Sequence, residues 1–273
     1  RINSPLKRSN TEKVSNEIIL MLCFARSGGT LLNQTLGILP NNVVMSEVSP
    51  IGGGWGENKE KSNSSIHDQA RSWYGYDLSS KDFRNATAEL YAKCQSDKKT
   101  LIIRDWVFVS FYPHSQNDFQ PECDFLTLKA INGIAPITPF AMTRNSVDIL
   151  LSLGLDDQIE TFFEYYLKYV EAITGLNCAI VKYEDLCSNP TEFVKSLCKI
   201  LSIQYTRNYK KFYKFTKVNG DTQRSLEERL KRGSLNKIKP RDKRYISSDL
   251  KDRIIANQHY REANRLLNYP IEF

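Results

Sequence analysis

Long apolar runs are missing from this sequence of 273 residues. The longest, such as 18–25, stops far short of the roughly 18 residues that span a bilayer. No secretory apolar region precedes it. Paired cysteines of the CxxC kind are missing too, which speaks against a zinc ribbon or a thioredoxin-like site. The six that exist are Cys23, Cys94, Cys123, Cys178, Cys187 and Cys198. Their even number permits disulfides without arguing for them. Cys23 and Cys178 lie in or beside strand-like runs and read as buried free thiols. Histidine is scarce, limited to His67, His114 and His259. Internal repeats and low-complexity tracts are absent, and collagen, a coiled-coil rod and wholesale disorder are excluded.

What is present is ordinary for a folded domain: 41% hydrophobic and 25% charged residues. A chain of this length buries roughly 70–75% of its unfolded surface without needing staples. The net charge of +7 suits a basic soluble protein or one with an anionic ligand or partner. Charge alone does not separate nucleic acid, a nucleotide cofactor and an acidic acceptor. Arg1 in first position reads as a fragment or a processed form, which leaves room for an upstream targeting or membrane segment.

Residues 1–15 are polar and basic and read as a flexible lead-in, with a single domain over 16–273. Ile18–Phe24 has the composition of a buried parallel strand. A turn, Arg26-Ser27-Gly28-Gly29, follows, and Thr30–Leu39 then shows helical spacing. Residues 50–80 carry no sustained period and read as an irregular, functional segment. A helix is expected over Ser80–Ser96 and a second strand over Thr100–Ile103. Further strands are expected at Pro139–Thr143 and Ala179–Tyr183. Helices are expected over Val147–Leu155, Ile159–Ile173, Pro190–Leu201 and, closing the chain, Ser247–Leu267. The alternation predicts an α/β fold, a central parallel sheet with helices on both faces.

The turn at 26–30 sits where a strand hands over to a helix. Backbone N–H groups and the helix dipole there favour an anion, and glycines let the backbone approach a phosphate. Thr30 adds a hydroxyl at the helix start. The pattern GxxxxGK[ST] is not met, because Gly29 stands where the lysine belongs. The cation is Arg26, upstream. A plain tight turn is the competing reading.

Three segments together point further. The stretch FARSGGTLL resembles the 5′-phosphosulfate loop of the sulfotransferases that use 3′-phosphoadenosine 5′-phosphosulfate (PAPS). TRNSVDILLS resembles their 3′-phosphate motif, with Arg144 and Ser152 eight positions apart. IVKYEDLCSNP resembles their strand and turn after the nucleotide. The three stand in the family's order across most of 18–201. The resemblance implies the sulfotransferase fold, with a P-loop-NTPase-like sheet. It implies PAPS as donor, with 3′-phosphoadenosine 5′-phosphate (PAP) as product, and a hydroxyl acceptor: a tyrosine, a carbohydrate or a small metabolite. It assigns Arg26, Ser27, Gly28, Gly29, Thr30, Leu31, Arg144, Ser152 and Tyr183 to the cofactor. No metal is required.

The base is expected to be a carboxylate. Glu47 lies 21 positions after Arg26. The tyrosine-sulfating branch of the family carries an RSGTT loop and a following glutamate, so Glu47 can be matched to it while Gly29 departs. Beside a cationic loop a carboxylate can take an acceptor proton. The branch that uses histidine after a KT pair has no counterpart here, since Arg104-Asp105-Trp106 follows that strand. Asp105 is therefore the alternative base, with Arg26 assisting the chemistry and Arg104 a candidate for sulfate or acceptor. Ser234 and Lys239-Pro240 resemble a late loop that closes over PAPS in the same branch. Trp55, Trp73, Tyr74 and Tyr76 are candidates for the acceptor wall, or for packing. His67 and His114 lie in segments that could line it.

Other classes remain in view. A P-loop kinase should carry the missing lysine. A nucleic-acid module could use Tyr205, Tyr209 and Tyr213 in the basic 207–245 stretch, although the latter two sit at helical spacing. An inactive sulfotransferase-like binding protein is the last alternative. No nucleic-acid partner and no membrane span are expected, and homodimerisation is left open. Sequons begin at Asn33, Asn63 and Asn85. With no signal or anchor, a cytoplasmic location is expected. The Golgi lumen is the alternative if an upstream anchor has been removed.

Overall fold

The apolar run after residue 17 forms strand β1 (Ile18–Cys23), buried along its whole length. Side chains alternate across a strand. Ile18, Leu20, Leu22 and Phe24 therefore enter one core, while Ile19, Met21 and Cys23 enter a second on the opposite face. Burial on both faces is what a parallel sheet requires. In this computed structural model the described residues are 14–51, 65–113, 120–219, 237–240 and 244–271.

Four more strands complete the sheet: β2 (Asn42–Val48), β3 (Thr100–Asp105), β4 (Ile137–Thr143) and β5 (Ala179–Lys182). Their order is β2-β3-β1-β4-β5, and every pairing is parallel. Strand β2 precedes the strand expected at Thr100. Pro139 lies inside β4 opposite Leu20, but the ladder to β5 begins only at Phe140. That arrangement accommodates a residue with no N–H to give.

Helix α1 (Gly29–Gly37) follows β1 directly and packs Leu32 and Leu36 into the second core. The first core takes α2 (Ile66–Tyr74), α3 (Phe83–Ser96), α4 (Val107–Phe111), α5 (Leu126–Ile131), α6 (Ser146–Leu153) and α7 (Ile159–Gly175). Beyond β5 come α8 (Tyr183–Ser188) and α9 (Pro190–Ile200), which return to the second core with Leu186, Val194 and Leu197. A 3-10 segment (Arg207–Lys214) buries Tyr209, whose hydroxyl bonds that of Thr191 at 2.6 Å. The expected closing helix is two, α10 (Ser248–Ala256) and α11 (Gln258–Leu267). Asn257 between them is extended, and its side chain accepts from the Tyr260 N–H to cap α11.

Helix α2 replaces part of the irregular stretch expected over 50–80. It also protects β2, which lies at the sheet edge. The Tyr74 hydroxyl accepts from the Val44 N–H at 2.9 Å and donates to the Val44 carbonyl at 3.1 Å. The Gln69 amide does the same for Ser46 at 2.7 and 2.8 Å. Two side chains thus stand in for a neighbouring strand and satisfy edge groups that would otherwise invite pairing. Ser15, assigned to the lead-in, is buried and its N–H donates to Thr100. All six cysteines are free thiols. Among the described residues, no helix is long and apolar enough to cross a membrane.

The chain leaves β1 toward β2 on one side, and leaves β4 toward β5 on the other. Adjacent strands with diverging exits make a crevice at the carboxyl edge, where open α/β sheets bind ligands.

Candidate functional site

Phe24, just past β1, fixes where the loop begins. Its ring meets Phe108, Tyr166 and Tyr169 at 5.3 Å each. The Tyr169 hydroxyl donates to the Leu22 carbonyl and the Tyr166 hydroxyl to the Arg144 carbonyl. Helix α7 therefore pins the exits of β1 and β4 together. The loop then turns through two left-handed residues, Arg26 (φ 63°) and Gly28 (φ 92°). Gly28 precedes α1 and provides no side-chain cap, and the first turn of α1 holds no acidic residue. The leading N–H groups of a helix have no partner within it, so those of α1 face the crevice with the positive end of the dipole.

The two glycines are filled from outside. A Cβ on Gly28 would lie 2.4 Å from the Tyr183 ring, and one on Gly29 would lie 2.7 Å from Arg104 Nε. The loop is thus flanked by a tyrosine from the β5 side and an arginine from β3.

The three motifs converge through direct contacts. Arg26 Nε donates to Ser152 Oγ at 2.8 Å across 126 positions of sequence. Arg144 donates to the Arg26 carbonyl at 3.3 Å and to Asp148 at 3.0 Å, and its guanidinium lies 4.8 Å from the centre of the Tyr183 ring. Arg144 is only 7% exposed, and its Nε has no partner among the described residues. Glu184 braces the turn from below: it accepts from the Asn145 N–H at 2.9 Å and from the Tyr269 hydroxyl at 2.7 Å.

Glu47 reaches the loop by a bulge. Between Met45 and Val48 the pairing with β3 shifts, so that three steps on β2 span two on β3. Glu47 within it has φ 53°, an unusual conformation for a residue with a side chain. A bulge re-aims a side chain, and Glu47 meets Arg104 Nη2 at 2.6 Å. Arg104 is 4% exposed, touches Thr30 Oγ1 at 3.3 Å, and leaves its Nε without a partner among the described residues. Ser27 Oγ is also buried without a partner among the described residues. The site thus combines a glycine loop, three arginines, a spare hydroxyl and two carboxylates held by cations, Glu47 by Arg104 and Asp148 by Arg144.

No protein-family model matches the sequence, and no curated protein does. Solved structures do match. The sulfotransferase domain from the curacin biosynthetic pathway covers 94% of this chain and 99% of its own, with a TM-score of 0.56 and 14% identity. The sulfotransferase domain from the Synechococcus PCC 7002 olefin synthase covers 95% and 97%, with a TM-score of 0.61 and 14% identity. The chain has the sulfotransferase fold.

Within that sulfotransferase fold the other expected residues are dispersed. Asp105 follows Arg104 on β3 and so points to the opposite face. It is 1% exposed and accepts from Thr127 Oγ1 at 2.5 Å. Burial pushes its carboxyl up to about 7. Thr127 and the Trp106 backbone oppose that rise. Burial likewise pushes the Cys23 thiol up to about 11, which leaves it inert at neutral pH. Leu31 is half-buried in the first turn of α1, and Lys239 is exposed. Ser234, Trp55 and His114 lie outside the described residues. His67 is on α2, with Nε2 2.6 Å from the Ser80 carbonyl. Tyr74 and Tyr76 pack against the first core, and Tyr74 binds β2, so packing is the reading that holds for Tyr74. Asn33 is fully buried in α1, which closes its sequon to a glycan. The pairing of Arg104 with Glu47 went unread in the sequence; the local signal was a glycine where the loop expects a side chain.

Proposed function

We propose that this chain is a PAPS-dependent sulfotransferase acting on a hydroxyl acceptor. One observation carries the reading: Arg144, buried and with its Nε unpartnered among the described residues, lies beside the glycine loop against Tyr183, while Arg26 in that loop binds Ser152. The donor carries anionic groups on the 3′ and 5′ oxygens of its ribose. The residues suit both. Arg144 and Ser152 would hold the 3′-phosphate, with a planar fork matched to its oxygens. The first-turn amides of α1, Ser27, Thr30 and Arg26 would hold the 5′ end, with Gly28, Gly29, Leu31 and Tyr183 shaping the approach. When bound, PAPS supplies an activated sulfuryl group. Glu47 would take the proton of the acceptor hydroxyl as the sulfuryl group passes from the donor to that hydroxyl oxygen, with PAP as the other product. Arg104 and Arg26 offset the negative charge that develops between them. Asp105 has no part in this scheme, because it faces Thr127 on the other side of β3. Lys239 is kept as a proposed donor contact, while Ser234 lies outside the described residues.

The test is a thermal shift with PAP against ATP and ADP, on the wild type, Arg144→Ala and Ser152→Ala. PAP at a hundred times its Kd stabilises by about 2.7 kcal/mol, so the wild type should melt several degrees higher. ATP and ADP should do less, and both variants should lose most of the response while melting normally without ligand. A wild type indifferent to PAP would overturn the donor assignment. The acceptor then follows from a screen of tyrosine peptides, sugars and phenols with Glu47→Gln as control.

A further inference from the structure

Arg104 lies at the meeting point of the two functions proposed above. One end of its guanidinium holds Glu47 at 2.6 Å, with the side chains only 5% and 21% exposed. The other end lies on the anion-binding loop, within reach of Thr30 and pressed onto Gly29 closely enough to exclude a Cβ. Its Nε has no partner among the described residues. A buried cation with unspent donors beside a helix N-terminus will turn toward an anion placed there. A carboxylate oxygen bonded to the same cation is not free to meet an acceptor hydroxyl until that cation is drawn away.

We propose that Glu47 and the 5′ anionic end of the donor compete for the single guanidinium of Arg104. Donor binding would then be the event that frees Glu47 to act as the base, and Arg104 is a positioning residue for Glu47 as well as a donor contact. This orders the reaction, donor first and acceptor second. Gly29 is part of the device, since any side chain there displaces the guanidinium. The inference rests on the PAPS reading of the site.

Binding measurements test it without turnover. Titration calorimetry would follow PAP and adenosine 3′-phosphate, which lacks the 5′ anion, on the wild type, Glu47→Gln, Arg104→Ala and the double variant. Glu47→Gln should tighten PAP roughly three- to tenfold, the range for losing one partly buried ion-pair competitor. It should leave adenosine 3′-phosphate within about twofold. In the Arg104→Ala background the same change should leave PAP affinity within about twofold. Simple repulsion between Glu47 and the donor would instead tighten PAP equally in both backgrounds, and that result overturns the competition. So does unchanged or weaker PAP binding by Glu47→Gln. A wild type that binds no PAP overturns the donor assignment and this inference together, whereas PAP binding without coupling overturns the inference alone. Should Arg104→Ala fail to fold, Gly29→Ala serves as the second background, because its methyl displaces the guanidinium.

Discussion

Substituting Gly28 by alanine separates two costs that the structure places at one residue. The first is conformational. Gly28 sits at φ 92°, and a left-handed conformation costs an alanine about 1–2 kcal/mol. The second is steric. The new methyl would start 2.4 Å from Tyr183 Cδ2. Ordinary contact needs about 1 Å more, and overpacking of this kind costs about 1–3 kcal/mol. The sum is about 2–5 kcal/mol. Gly75 supplies the control: its φ is 71°, and a Cβ there meets nothing within 4 Å. Gly75→Ala should therefore cost only the conformational part, about 1–2 kcal/mol. Urea unfolding of both variants measures the difference. The displaced ring should also matter for binding, because Tyr183 lies 4.8 Å from the Arg144 guanidinium. PAP affinity should fall in Gly28→Ala and hold in Gly75→Ala. Equal stability losses would refute the claim that Tyr183 fills the space beside the loop.

Asp105→Asn should change how stability depends on pH. Burial raises the native carboxyl from 3.8 to about 7. Between those values the native state holds a proton that the unfolded chain has lost. The contribution is therefore fully present below about pH 4, declines as pH rises to about 7, and is level above. Three pKa units correspond to on the order of 4 kcal/mol. Relative to Asp105→Asn, the wild type should lose stability from pH 4.5 to pH 8 in urea titrations, and parallel profiles would refute the assignment. Glu184→Ala should strip partners from the Asn145 N–H and the Tyr269 hydroxyl. A loss of about 2–3 kcal/mol with weaker PAP binding is expected by denaturation and calorimetry. Gln69→Ala should bare the Ser46 edge groups, costing about 1–3 kcal/mol, with faster amide exchange in β2 as its sign.

Local pattern carried the sequence reading where a strand, a turn and a helix follow one another. β1, the loop and α1 stand within a residue or two of expectation because a continuous apolar run and two glycines leave little choice. β2 was harder. Its continuous apolar part is only Val43-Val44-Met45, and the bulge between it and Val48 breaks the period of two. Helix α2 hides for a different reason: its cap, Ser65, and its Gly75 terminator flank a largely polar segment, whose stability comes from covering the edge of β2. At Asn257 the period misleads outright. Ile254, Tyr260, Ala263 and Leu267 face the same core on both sides of the break, so burial alone does not reveal that the backbone restarts there.

The site shows the same division between local and distant information. Each motif was legible by itself, since strand ends and spacing are local. The contacts that make them one site span long separations: 126 positions from Arg26 to Ser152, 118 from Arg26 to Arg144, and 57 from Glu47 to Arg104. Gly29 is where the two kinds of information meet. Read locally, it is a departure from a loop that should carry a side chain. In the fold it is the opening through which β3 lends a cation to the loop, and the residue that looked like a defect becomes a requirement of Arg104. Restoring a side chain at 29 should therefore disturb the Glu47–Arg104 pair before it disturbs the fold, because the displaced atoms belong to the far end of a flexible arginine.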